Sequence, residues 1–97
     1  MRRFPERLVR LIREREPRES GHATKNRARL DLVWEDVVSI AETADWWTKE
    51  RDELVPGDHK YRMIGRDTHG RRMYTAGKEM ILDGEAVWFI ITIHEAK

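Results

Sequence analysis

The sequence predicts an α+β domain in which two to three N-terminal helices pack on one face of a three- to four-stranded antiparallel β-meander. The last 39 residues contain three β-prone runs, at 59–66, 71–80 and 85–94. Turn residues at 67–70 and at the Asp83-Gly84 pair separate these runs. The first half instead carries apolar residues every three or four positions, as amphipathic helices do. The 97 residues (1–97) are expected to form a single domain.

Three helices are expected before the sheet. The first covers residues 4–16, and Pro17 stops it. Ser20 is the expected N-cap of a second helix over residues 22–30. A third helix begins at Asp31 or Trp34 and ends near residue 44.

A tryptophan pair, Trp46-Trp47, follows the third helix. The pair is expected to pack beneath the polar loop 48–58, because large aromatic side chains usually supply buried contact area. A platform on which RNA bases stack is the alternative interpretation.

Composition limits the class of protein. The chain has no cysteine, which excludes disulfides and thiolate metal sites and fits a reducing cytoplasm. No apolar run approaches the ~20 residues of a membrane span, and none follows the arginine-rich N-terminus as a signal peptide requires. A soluble cytoplasmic protein without membrane contact is therefore expected, with no cofactor and no metal ion.

The net charge of +1 conceals a segregation along the chain. Ten basic residues stand against four acidic ones in residues 1–30, two against nine in 31–58, and seven against five in 59–97. A mildly basic sheet suits phosphate binding, whereas the same charges on solvated surfaces only keep a domain soluble. Charge alone does not separate these two interpretations.

The last strand is the most β-prone segment, and its alternation defines two faces. One face is predicted to pack against the helices, and it carries Val87, Phe89, Ile91 and Ile93. The other face is only partly apolar, and it carries Trp88, Ile90, Thr92 and His94. A functional site is expected on or beside this second face.

Two registers of the sheet remain open, and they place different side chains on the face of His94. A regular register pairs Arg62 with Thr75. A β-bulge at Gly77 would instead bring Tyr74 opposite His94, because a glycine inside a strand often marks a bulge.

Either register gathers the groups that metal-independent RNA cleavage needs. A base takes the proton of the ribose 2′-hydroxyl, an acid protonates the leaving 5′-oxygen, and cations stabilise charge on the phosphoryl oxygens. His94 is the candidate acid or base, Tyr74 is the alternative for proton transfer, and Arg62 is the candidate for charge stabilisation. The RNA-binding cations are expected to be Lys60, Arg66, Arg71, Arg72 and Lys78. A solvated histidine at a strand end is the plainer interpretation of His94.

The order of elements and the local patterns in residues 20–97 resemble the RelE-like toxins of bacterial type II toxin–antitoxin modules. One group of small domains in this family has a His-Ala-x-x-x-Arg helix, which His22-Ala23 and Arg27 match. The hairpin pattern of the same group is matched by Lys60-Tyr61-Arg62, Gly65-Arg66 and Gly70-Arg71.

The C-terminal strands resemble those of the MqsR-like branch of these toxins. Its functional tyrosine corresponds to Tyr74, and His94 stands where that branch has a lysine just before the C-terminus. The resemblance implies an endoribonuclease that cleaves mRNA until a cognate antitoxin protein covers its site. It also implies that His22 and Arg27 belong to the catalytic set.

Two other functions compete with the ribonuclease. The first is a non-enzymatic module that binds protein or nucleic acid on the same sheet, in which His94 has no chemical role. The second is a transcriptional partner whose arginine-rich first helix contacts DNA, and it ranks last because no helix-turn-helix pattern accompanies that helix.

Overall fold

A computed structural model describes residues 2–97 of the chain. Its elements are, in order, α1 (Glu6–Glu14), β1 (Arg18–Glu19), α2 (Gly21–Arg29), α3 (Trp34–Thr43), β2 (Trp46–Arg51), β3 (His59–Arg66), β4 (Arg72–Leu82) and β5 (Glu85–Glu95). The three predicted helices are confirmed, and the Ser20 hydroxyl caps α2 by accepting from the Ala23 amide at 3.0 Å. No helix in residues 2–97 is both long and apolar enough to cross a membrane.

The strands form one five-stranded sheet in the order β1-β5-β4-β3-β2. Strands β2 to β5 are an antiparallel meander, and β1 adds two residues in parallel to β5. The α+β class is thus confirmed. Strand β1 was not predicted, and β2 lies where a loop was expected from residue 48. The sequence did not indicate β2 because residues 49–51 are all charged, and charged residues are depleted in central strands. Edge strands such as β2 commonly carry them.

The three helices cover one face of the sheet, called here the covered face, and the opposite side is the open face. An aromatic cluster holds the N-terminal segment against the covered face. At its centre Phe4, only 3% exposed, meets three rings edge-on at centroid distances of 5.7, 5.9 and 6.0 Å, namely those of Trp47, Tyr61 and Trp88.

Helix α3 lies close against β3 because Gly65 has no side chain. A Cβ at Gly65 would lie 2.1 Å from the carbonyl oxygen of Ile40, which is backbone and cannot move aside. Two hydroxyl groups of α3 secure the contact: Ser39 donates to the Arg66 carbonyl at 2.8 Å, and Thr43 accepts from the Arg66 amide at 2.7 Å. This packing leaves the opposite side of β3 free of helices.

A β-bulge at Ile91 interrupts the alternation of β5. Ala76 pairs with Thr92 and Gly77 pairs with Ile90, so Ile91 has no partner on β4. A Cβ at Gly77 would lie 2.7 Å from the indole ring that packs on it. The bulged register that Gly77 suggested is therefore confirmed.

The bulge decides which side chains of β5 reach the core. Trp88, Ile90 and Ile93 lie on the covered face and are at most 1% exposed. Phe89 is only partly buried on the open face, and the bulged Ile91 is also only partly buried. The predicted core face was therefore wrong for Phe89 and Ile91, and the predicted second face was wrong for Trp88 and Ile90, because strict alternation from Ile93 backwards does not survive an extra residue.

The β3–β4 turn is one residue longer than predicted, since Arg66 pairs with Arg72 and the turn covers residues 67–71. The buried Asp67 carboxylate organises it by accepting from the His69 and Arg71 amides, each at 2.9 Å. Burial raises the pKa of Asp67, but these bonds and the Arg71 guanidinium outweigh it and hold that pKa below its ordinary value. The longer turn places Ala76, rather than Thr75, opposite Arg62.

The β4–β5 turn follows the prediction. Asp83 and Gly84 have φ values of 50° and 79°, the left-handed conformation that this dipeptide tolerates. Met80 pairs with Val87 as the two-residue turn requires. Register is thus set at this end of the hairpin and is shifted only beyond the bulge.

The two edges of the sheet differ. At the β5 edge the Ser20 amide donates to the Ile90 carbonyl at 3.0 Å, and the Ser20 hydroxyl donates to the Ile91 carbonyl at 2.7 Å. The side-chain amide of Asn26 donates to the Ile93 carbonyl at 3.2 Å. These bonds occupy three carbonyl groups that the β5 edge would otherwise offer to another strand. At the other edge, β2 pairs with β3 on one side and with no further strand of the described chain.

Candidate functional site

Four side chains line up across the open face, one from each strand of the meander. The cross-strand pairs join Trp46 to Ile64, Ile64 to Tyr74, and Tyr74 to His94. We call these four residues the transverse row. Neighbouring strands lie about 4.8 Å apart, so the row extends roughly 14 Å from Trp46 to His94. Three of its four members carry π-systems, which gives the open face a band suited to flat ligands.

Tyr74 and His94 form a stacked pair at one end of this row. Their ring centroids are 4.8 Å apart and the planes are inclined by 22°. His94 Nδ1 lies 2.8 Å from the carbonyl oxygen of Glu95. Because a carbonyl only accepts, Nδ1 carries the proton, and Nε2 of the neutral ring is left as a proton acceptor. The exposed imidazole therefore has one nitrogen fixed and the other open to a ligand.

Cations flank the transverse row on both sides. Arg66 and Arg72 are paired across β3 and β4. They lie on the same face as the row, two residues further along each strand towards the turn. Arg62 lies one step away on the other side and forms an ion pair with Glu50 at 2.9 Å. Lys60 follows Arg62 on the same face. In residues 2–97, the Arg72 side chain forms no ion pair and donates no hydrogen bond, so its charge is open to an external anion.

Two arginines of the predicted site bind inside the fold instead. Arg27 pairs with Glu19 at 2.9 Å, and Arg71 pairs with Asp67 at 2.7 Å. Both guanidinium groups also donate to backbone carbonyls, of residues 32 and 30 respectively. Their hydrogen-bonding capacity is largely used in joining α2 and the β3–β4 turn to the rest of the chain. The structure does not bring either arginine into the transverse row.

His22 lies exposed in the first turn of α2, at the covered edge of β5. Its Nε2 is 3.4 Å from the side-chain nitrogen of Asn26, and Asn26 binds the carbonyl of Ile93. His22 is thus connected to the residue before His94 through one amide. Arg27 binds Glu19 instead, so the two residues that the resemblance implies for the catalytic set share no hydrogen bond in the described chain.

Lys78 ties the loop 52–58 to the open face. Its ammonium lies 2.8 Å from the Asp52 carboxylate and 3.1 Å from that of Asp58, and its side chain is 12% exposed. The hydrogen bond to Asp52 raises the pKa of Lys78, and the same bond lowers the pKa of Asp52. An RNA phosphate would have to displace two carboxylates to reach Lys78.

The pH dependence of this tie follows from the direction of the two shifts. Asp52, with its lowered pKa, stabilises the fold above the ordinary carboxyl pKa of about 3.9, and this contribution is lost as pH falls through the folded value. Lys78, with its raised pKa, stabilises it below about 10.5 and loses this contribution at higher pH. We expect Lys78→Met to lower the free energy of unfolding at pH 7 and to have a smaller effect at pH 3, as measured by urea denaturation.

Lys25→Met is the control, because Lys25 is exposed on α2 and forms no ion pair in the described chain. Its effect is expected to be small at both pH values. A Lys78→Met effect of the same size at pH 3 and pH 7 would show that the alkyl chain of Lys78, rather than its ion pairs, stabilises the loop.

The two tryptophans of β2 face opposite sides of the sheet. Trp47 belongs to the cluster around Phe4 and is partly buried, so it packs as predicted, but against the N-terminal segment rather than beneath the loop 48–58. Trp46 points to the open face and is 43% exposed, so the packing prediction is wrong for this residue. Alternation within a strand separates the pair, and that signal was available only once β2 was recognised.

No group of three or more metal-ligating side chains in residues 2–97 is arranged to hold a metal ion. No protein-family model, curated protein or solved structure matches the chain. The chemistry of the candidate site is therefore argued from its own residues.

Proposed function

We propose that the protein is a metal-independent endoribonuclease that acts on mRNA in the cytoplasm, as the toxin of a type II toxin–antitoxin module. The observation that supports this best is the Tyr74–His94 pair. The pair brings together an imidazole nitrogen that can accept a proton and a phenol hydroxyl that can donate one. It lies on the open face, near positive charge that has no partner in the described residues.

The proposed reaction uses the ribose 2′-hydroxyl of the substrate as its nucleophile. His94 Nε2 takes the hydroxyl proton, the 2′-oxygen attacks the adjacent phosphorus, and the bond from phosphorus to the 5′-oxygen breaks. The Tyr74 hydroxyl gives its proton to that leaving oxygen. One product ends in a 2′,3′-cyclic phosphate and the other begins with a 5′-hydroxyl, and the proton held by His94 restores Tyr74 through solvent.

Arg72 and Arg62 are the cations proposed to stabilise charge on the phosphoryl oxygens. Arg72 needs no rearrangement, since it has no partner in the described chain. Arg62 has to exchange Glu50 for a phosphate, and the exposure of both side chains makes this exchange inexpensive, because such surface pairs contribute about 0–1 kcal/mol. Lys60 and Arg66 extend the positive charge on either side.

A cognate antitoxin is the proposed protein partner, and it would act by covering the open face. Partly exposed apolar and aromatic side chains on this face, including Trp46 and Phe89, suit a protein contact. The same surface then serves RNA and antitoxin in turn, so the two are expected to compete.

Purified protein is expected to cut single-stranded RNA in the presence of EDTA and to leave 2′,3′-cyclic phosphate ends. Its expression is expected to arrest growth, because cleavage of mRNA stops translation. The measurements are gel analysis of end-labelled RNA, with and without ribosomes, and growth after induction. RNA that is bound but left intact in both assays, together with normal growth, would favour the non-enzymatic binding module.

A further inference from the structure

We propose that Trp46 is a base-stacking subsite of the open face, so that single-stranded RNA lies along the transverse row and crosses the strands. This inference rests on the proposed function, because it gives the substrate of the same site a direction. It assigns a ligand to a residue for which packing had been the expected role.

The surroundings of Trp46 differ from those of the aromatic side chains on the covered face. Trp47, Tyr61 and Trp88 all contact aromatic partners on the covered face, whereas Trp46 makes no aromatic contact within residues 2–97. With 43% of its surface exposed on an edge strand, Trp46 is accessible to a flat ligand. Stacking of a base on such a face is the usual sequence-tolerant contact of single-stranded nucleic acid.

The length of the row fits a short single strand. Trp46 and His94 lie roughly 14 Å apart along the sheet. A stacked strand that advances ~3.4 Å per nucleotide would place about four nucleotides between these ends, and a strand whose bases are splayed apart would place fewer, about two or three. Ile64 gives an apolar floor between the two aromatic ends. Cleavage is then expected about two or three nucleotides from the base that stacks on Trp46.

The charges beside the row suggest where the phosphates lie. Arg66 and Arg72 are cross-strand partners, so their line is parallel to the row and one step from it. On the other side Arg62 must first exchange Glu50 for a phosphate, so Arg66 and Arg72 offer the readier contact for the rest of the backbone. A strand with its bases over the row and its backbone over Arg66 and Arg72 satisfies both the stacking and the charge.

Binding can be measured separately from cleavage with single-stranded octanucleotides of 2′-deoxyribose, which lack the attacking hydroxyl. Trp46→Ala is expected to raise the Kd of such a strand about 5- to 150-fold, as the loss of one stacked base does. Trp46→Phe is expected to retain most of the affinity because it keeps a π-face. Trp46→Leu is expected to resemble Trp46→Ala, because it keeps apolar area but cannot stack.

An abasic scan tests the contact itself. One abasic nucleotide is placed at each position of the strand in turn, and fluorescence anisotropy gives the Kd. In the wild type, one position should lose affinity more than its neighbours, and Trp46→Ala should abolish that difference. Ile81→Ala is the matched control, since Ile81 is 66% exposed on β4 near the remote β4–β5 turn. It should leave the abasic profile unchanged.

Several outcomes would overturn the subsite. The first is equal affinity of wild type and Trp46→Ala, and the second is an abasic profile that survives in the variant. A third is a stable dimer that dissociates in Trp46→Ala, as measured by sedimentation, since Trp46 would then contact a second chain rather than a base. Intact RNA in the cleavage assay would contradict the ribonuclease but not the subsite, because the deoxy strands report binding alone.

Discussion

Trp88→Ala is expected to lower the free energy of unfolding by about 3–5 kcal/mol, the usual cost of removing a large aromatic side chain from a core. Trp88 is fully buried, and its ring lies 6.0 Å from that of Phe4 and 5.9 Å from that of Tyr61. Gly77 on the neighbouring strand provides the space for the indole. Alanine would leave a cavity beside a glycine, and neither residue has atoms to fill it.

Phe89→Ala is the matched control, because Phe89 is adjacent in β5 but only partly buried on the open face. Its cost is expected to be clearly smaller. Urea denaturation followed by circular dichroism gives both values, provided that the slope with denaturant is unchanged. Equal losses for the two residues would show that the open face is covered as well, for example by a second copy of the chain.

His94→Ala is expected to slow RNA cleavage by a factor of about 10²–10⁴, the contribution of a positioned acid or base. Its affinity for an uncleavable strand should change much less, since the Arg62 and Arg72 cations remain. Cleavage rate at saturating RNA and Kd for the deoxy strand are the two measurements.

His59→Ala is the control for the loss of an exposed histidine, because His59 lies on β3 with its side chain on the other face of the strand. It should cleave RNA as the wild type does. Full activity in His94→Ala with a loss in Tyr74→Phe would move proton removal to Tyr74. If neither substitution matters, the transverse row is not the catalytic site, and the exposed His22 becomes the remaining candidate.

The sequence predicts those parts of the fold that depend on local chemistry. Ser20 as an N-cap and the Asp83-Gly84 turn both involve bonds or backbone angles within a few residues, and both are present. The face of the last strand is different, because the extra residue at Ile91 reverses the alternation. Gly77 signalled a bulge but did not show on which strand the extra residue would lie.

The Tyr74–His94 contact of the candidate site could be predicted from the sequence, but the partners of its cations could not. Tyr74 and His94 meet because one bulge sets their register, which the sequence offered as one of two alternatives. The roles of Arg27, Arg71 and Lys78 depend on which carboxylate each one meets in three dimensions. For Lys78 that partner is Asp52, 26 residues away, and no local pattern connects the two.

The covered edge of β5 has a consequence for how the protein behaves at high concentration. Fibres in which sheets extend from molecule to molecule require two free edges on every copy, one to add to and one to be added to. Ser20 and Asn26 already bind the carbonyls at the β5 edge, so only β2 is left to accept a strand. Edge-to-edge association through β2 would use the free edge of both copies and stop at a two-fold pair.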